Sequence, residues 1–203
     1  MKALGYAILP VLLLAASCKK QEEPAAQAEL LTFHEVMKNQ VDKHADELWD
    51  MTNSWIGEKA GLDPAKMDDK KWDQLAAKAD EVQKAALTIV GLNPILVVKP
   101  GVKIGDEGLP GGHTGAQVQA LIDKDPQHLR DMAQALANHM ADLSKAARAH
   151  DFAKAGPLID QLDGVCENCH LDFWYPDQKE LVNQYRNEAG PDPSMSAAPA
   201  GTR

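Results

Sequence analysis

Four stretches of this chain carry apolar residues at spacings of three and four, and that rhythm constrains the fold more than any other feature. Leu30, Phe33, Met37, Val41, His44, Leu48, Met51 and Trp55 form one such stripe. It stops at Gly57 and at Gly61-Leu62-Asp63-Pro64. A second runs from about Asp68 to Val90 through Trp72, Leu75, Ala79, Val82, Ala86 and Ile89, with Asp68 or Asp69 as its cap. Asp125-Pro126 opens a third, through Leu129, Met132, Ala133, Leu136, His139 or Met140, and Leu143. The fourth starts after Asp151 or after Gly156-Pro157 and runs through Leu158, Ile159, Leu162, Val165, Cys166, Cys169 and Phe173, with Pro176 beyond it. Thr114 caps a short extra helix, and Leu181 and Tyr185 mark a short amphipathic piece near the end. The run Ile95-Leu96-Val97-Val98 has no partner strand, so it belongs to a long irregular connection. With neither hairpin signals nor a βαβ rhythm, the expected class is all-α: an antiparallel up-down-up-down four-helix bundle.

On the fourth stripe lies Cys166-Glu167-Asn168-Cys169-His170. C-x-x-C-H reads as a c-type haem attachment site. On a helix, residues three and four apart share a face, so both thiols can reach the two vinyl groups of one porphyrin edge. His170, four residues after Cys166, can then bind the iron as proximal ligand. Other readings fit less well. A thioredoxin-like C-x-x-C belongs near a βαβ pattern, which is lacking. A structural zinc site needs four ligands, and Cys18 is the only other cysteine. A disulfide between the pair would leave His170 without a role.

The beginning of the chain reads as an export signal. Lys2 precedes an apolar run from Ala7 to Ala16, too short to span a bilayer core of about 30 Å comfortably. Leu14-Ala15-Ala16-Ser17-Cys18 resembles the lipobox of bacterial lipoproteins, in which the cysteine is lipidated. That family usually has Leu, Val or Ile where Ala15 stands. The alternative is ordinary cleavage after Ala28, with Lys19, Lys20, Glu22 and Glu23 crowding the space before the cut. The expected organisation is a signal peptide over 1–17, a lipidated Cys18 with a tether over 18–29, a four-helix domain over 30–187, and a disordered tail over 188–203. By the resemblance, Lys19 after the lipidated cysteine implies an outer-membrane lipoprotein facing the periplasm; ordinary cleavage would give a soluble periplasmic protein. The formal net charge of −9 argues against nucleic acid as a partner and permits steering toward basic redox partner proteins.

An exported four-helix chain with C-x-x-C-H on its last helix resembles the class II cytochromes c, the cytochrome c′ and c556 group, over roughly residues 30–175. The resemblance implies one covalent haem c within the bundle, His170 as one axial ligand, and a homodimer as an option. In c556 members an early methionine of the first helix is the second ligand, which matches Met37. Topology agrees: Met37 lies about 10 Å into the first helix and His170 about 7–8 Å from the end of the last, nearly one level. His34 and His113 are the other candidates, and an open sixth position is the remaining option. With Met37 and His170 both on iron, the chain is an electron carrier and not an enzyme. The rival is a c′-type protein whose open sixth site binds NO or CO. A peroxidase would need a distal acid–base group, for which only His34 or His113 could serve. Trp49, Trp55 and Trp72 are expected in the core, and Trp174 and Tyr175 near the haem. The connection between the second and third helices must lie at the haem end, so its apolar half, residues 95–98, either covers the porphyrin edge or belongs to a mobile surface loop that merely joins two helices.

Overall fold

Each long helix begins where the sequence supplies a side-chain oxygen for its free backbone N–H groups. A computed structural model describes residues 30–57 and 61–189. The expected signal peptide, Cys18, the tether and all but the first two residues of the expected tail lie outside them. Thr32 and Glu35 form a capping box ahead of α1 (Phe33–Val36). This helix runs without a break through a π turn (Met37–Val41) into α2 (Asp42–Asn53), giving one long first rod. Asp68 accepts from Lys71 N at 2.8 Å to open α3 (Asp69–Val90). A second capping box, Thr114 with Gln117, opens α4 (Gly115–Lys124). Asp125, followed by Pro126, opens α5 (Pro126–Arg148), and Asp151 opens α6 (Phe152–Phe173). Caps of this kind stabilise a helix by about 1 kcal/mol each. A short α7 (Lys179–Ala189) follows. The described residues contain no strand, only an isolated bridge between Ile56 and Leu62. The fold is all-α.

The predicted stripe of α3 is buried throughout; its Ala79 and Ala86, with the buried Ala76 and Ala85 beside them, are small enough to let α5 come close. Ser144 Oγ donates to Asp80 at 2.6 Å across that interface. α5 also packs on α6, where buried His139 donates through Nε2 to the Leu158 carbonyl at 2.7 Å. Desolvation pushes the His139 pKa down, which suits a neutral, satisfied core histidine. Leu75, Leu143 and Leu162 are fully buried at these contacts, and burial of such side chains is worth about 1.5–3 kcal/mol each. The first rod packs against α3 but does not close onto α6. Leu30, expected at the head of the first stripe, stands outside the helix and is exposed.

The connection from α3 to α4 is ordered by hydrogen bonds to its neighbours. Phe33 N and His34 N donate to the carbonyls of Leu96 and Val97 at 2.8 and 2.9 Å, so the loop satisfies the free end of α1. Gln119 bonds both Val97 N and the Ile95 carbonyl. Ile95 and Val97 are buried there, and a Cβ on Gly115 would lie only 2.6 Å from Val98 Cγ1, so α4 can start this close only with glycine.

Lys99 Nζ to Glu35 at 2.6 Å ties the same loop to the first rod. That bond, then those from Thr32, hold the Glu35 carboxyl at about 2, against an ordinary 4.5. A depressed carboxyl contributes stability that is present above 4.5 and fades as the pH falls toward 2. Amide exchange at residues 95–99, taken relative to the intrinsic rate at each pH, should therefore accelerate across that window. In Lys99→Met it should already be faster at neutral pH. Because the pair is partly exposed, the effect should be local and small beside global unfolding. Exchange that keeps a constant ratio to the intrinsic rate between pH 5 and 2.5 in the native chain would refute the link.

Candidate functional site

α6 runs unbroken through the C-x-x-C-H motif and ends one turn later, where Trp174 N and Tyr175 N both donate to the His170 carbonyl at 2.7 and 2.8 Å. The motif is therefore held in a regular helix on the side of α6 that faces the first rod across a gap. Between them is a cavity of about 650 Å³. Its volume falls in the range of cofactor sites. Cys166, Cys169, His170 and Val165 line it from α6. From the first rod come Phe33, His34, Met37, Val41 and Trp49, and from α5 Leu129, Met132 and Leu136.

Met37 and His34 are thus brought to the same cavity as the motif. His113 is not among its lining residues; its backbone N donates to the Trp174 carbonyl at 3.1 Å, behind the wall. Trp55 and Trp72 are core as expected, whereas Trp49 faces the cavity. Trp174 and Tyr175 each have ring centroids 6.5 Å from that of His170. The loop reaches the cavity too, but through Lys103, Ile104, Gly105 and Asp106. Its apolar half is consumed in satisfying α1 and α4. Trp174 Nε1 donates to the Gly105 carbonyl at 3.1 Å and Tyr175 Oη to Asp106, which fastens this wall to the end of α6. Gly112 permits the fold-back, since a Cβ there would lie 2.4 Å from the Asp106 carbonyl oxygen.

Electrostatics distinguish the candidate chemistries. Cys166 and Cys169 are free, and desolvation, helped by nearby negative charge, pushes both thiols up to about 12. Reactive redox cysteines and zinc ligands require the thiolate, so this environment disfavours both. Desolvation also pushes His170 down, against the charges of Asp42, Asp163 and Glu167, and favours the neutral imidazole that binds a metal. Asp42 is raised, chiefly by desolvation at the cavity rim, with the His170 charge opposing.

Among the described residues, the grouping of three possible metal donors is elsewhere: His44, Glu47 and Glu81. Lys78 Nζ sits between those two carboxylates, 2.5 Å from Glu47, so their charge is already paired. The two thiols and His170 do not converge on one point; they are spread along one wall of a large apolar cavity, with a thioether sulfur on the first rod. That donor set fits a flat macrocycle carrying its own metal: two thiols for its edge, an imidazole for one axial position and Met37 or His34 for the other. No family model matches the chain, and neither a curated protein nor a solved structure was found to be similar to it.

Proposed function

We propose that this chain is an exported one-electron carrier, a c-type cytochrome similar to the class II group, with one haem c bound through Cys166 and Cys169. The observation that carries the reading is the single cavity that Cys166, Cys169 and His170 share with Met37. The haem supplies the one-electron couple. His170 and Met37 would be the residues that hold its iron, and that pair would leave no site for substrate and favour the reduced state. The first rod, α3, α5 and α6 are read as an antiparallel up-down-up-down bundle, with residues 91–114 as the long connection beside the haem. Apolar side chains of α5 and Ile104 keep water from the ring, and Lys38, Lys103, Asp42, Asp46 and Asp106 mark the charged rim where a redox partner protein would approach.

Haem staining after denaturing electrophoresis tests the cofactor, and the ferric optical spectrum tests the ligation. A low-spin spectrum with the long-wavelength band of methionine–iron ligation is expected. A high-spin spectrum would turn the assignment to an open site for NO or CO. Cys18 is read as a lipid anchor that holds the protein on the periplasmic side of the outer membrane. No helix among the described residues is long and apolar enough to cross a membrane. Cys18→Ala should move the protein from the membrane fraction to the soluble fraction, or block its maturation. A wild-type protein that is soluble and begins at Glu29 would sink the anchor.

A further inference from the structure

We propose that Arg186 is a positioning residue for the haem-binding motif: from α7 it forks across the two residues between the cysteines and offsets the Glu167 charge beside His170. The inference rests on the reading of that motif as a haem site. Arg186 Nη1 donates to Asn168 Oδ1 at 3.2 Å and Nη2 to Glu167 Oε2 at 2.5 Å. The planar guanidinium can hold both at once, which a lysine ammonium cannot do with the same geometry. Glu167 and Arg186 are both partly buried, 35% and 26% exposed, so the pair is screened less than a surface pair.

Apolar burial does not account for the docking of α7. Leu181 and Tyr185 are 53% and 64% exposed, and Val182 beside them is only half-buried. The helix is held instead by polar contacts to the end of α6. Lys179 pairs with Asp172 at 2.5 Å, and Arg186 pairs with the motif. Asp172 is already engaged by His128 at 2.7 Å, so the Arg186 fork is the contact that reaches the motif itself.

Glu167 lies one helical turn before His170, and its charge acts there together with those of Asp42 and Asp163. An unpaired carboxylate beside the proximal ligand favours the oxidised, more positive iron. Arg186 offsets that charge and so keeps the potential up.

A double-mutant cycle on the exported holoprotein tests this, with the reduction potential as readout. Arg186→Gln should lower the potential by uncovering Glu167. Glu167→Gln should raise it. The double variant should return close to wild type, and Arg186→Lys should keep most of the charge effect. A merely structural role for α7 would not be rescued by Glu167→Gln. Haem staining of all the proteins separates the failures. Wild type without covalent haem overturns the haem reading and this inference with it. Haem present throughout, with a potential unmoved by Arg186→Gln or lowered equally with and without Glu167, overturns the role of Arg186 alone.

Discussion

Changing both Cys166 and Cys169 to Ala is expected to abolish covalent haem completely, and either single change to leave it weakly attached. Both sulfurs line the cavity, so each would be placed to add across a vinyl group of a haem bound there, the sulfur bonding one vinyl carbon and the thiol hydrogen going to the other. A single remaining thioether would tether the ring without fixing its orientation, and His170 would then meet a mobile iron. The packing cost should be small. Each change removes one sulfur from a cavity wall rather than from a filled core, so helicity should persist while the haem stain disappears. A double variant that still stains after denaturation, or a wild-type chain that never stains, would sink the assignment.

The element boundaries were legible because they rest on local chemistry. Thr114, Asp125-Pro126 and Asp151 are each read from the sequence and each caps its helix, and of Asp68 and Asp69 it is Asp68 that caps α3. At the start of α6 the choice between Asp151 and Gly156-Pro157 goes to Asp151, whose side chain accepts from Lys154 N, and Pro157 is carried inside the helix. The buried stripe of α3 was legible for the same reason, since a period of 3.6 is a property of the chain itself.

What escaped the sequence depends on partners far along the chain. Apart from buried Ile104, the residues that wall the cavity from the loop, Lys103, Gly105 and Asp106, would pass for an ordinary surface turn. They become a wall because Trp174 and Tyr175, 69 residues away, bond to Gly105 and Asp106. The apolar run 95–98 reads as a cover for the porphyrin edge or as a mobile surface loop, yet the unpaired N–H groups of α1 and the side chain of Gln119 claim it first. α7 reads as an amphipathic helix that should bury Leu181 and Tyr185, but a charged fork onto the motif decides its orientation. Trp49 was counted as core because nothing local distinguishes a residue facing packed neighbours from one facing a cavity.

Met37→Ala is expected to convert a low-spin haem spectrum to high-spin and to let CO bind the reduced iron readily. The local backbone is the reason to choose Met37. Residues of the first rod that line the cavity recur every four positions: Phe33, Met37, Val41, Ala45 and Trp49, with His34, Lys38, Asp42 and Asp46 beside them. On a regular α-helix four residues overshoot a full turn by about 40°, so such a row would wind off the cavity within a few steps. The π turn over Met37–Val41 takes more residues per revolution and brings the row back. It has a trace in the sequence. Two consecutive spacings of four, Phe33 to Met37 to Val41, interrupt the alternation of three and four that α3 keeps throughout. π turns of this kind are frequent at functional sites, and this one starts on the methionine. Removing the thioether leaves His34 as the nearest alternative donor in the same wall, so Met37→Ala with His34→Ala serves as the control. If Met37→Ala stays low-spin and only the double variant becomes high-spin, His34 is the ligand or replaces it. If neither change moves a low-spin spectrum, the sixth position was never held by this helix and His113 is the remaining candidate; a native spectrum that is already high-spin gives the gas-binding reading precedence.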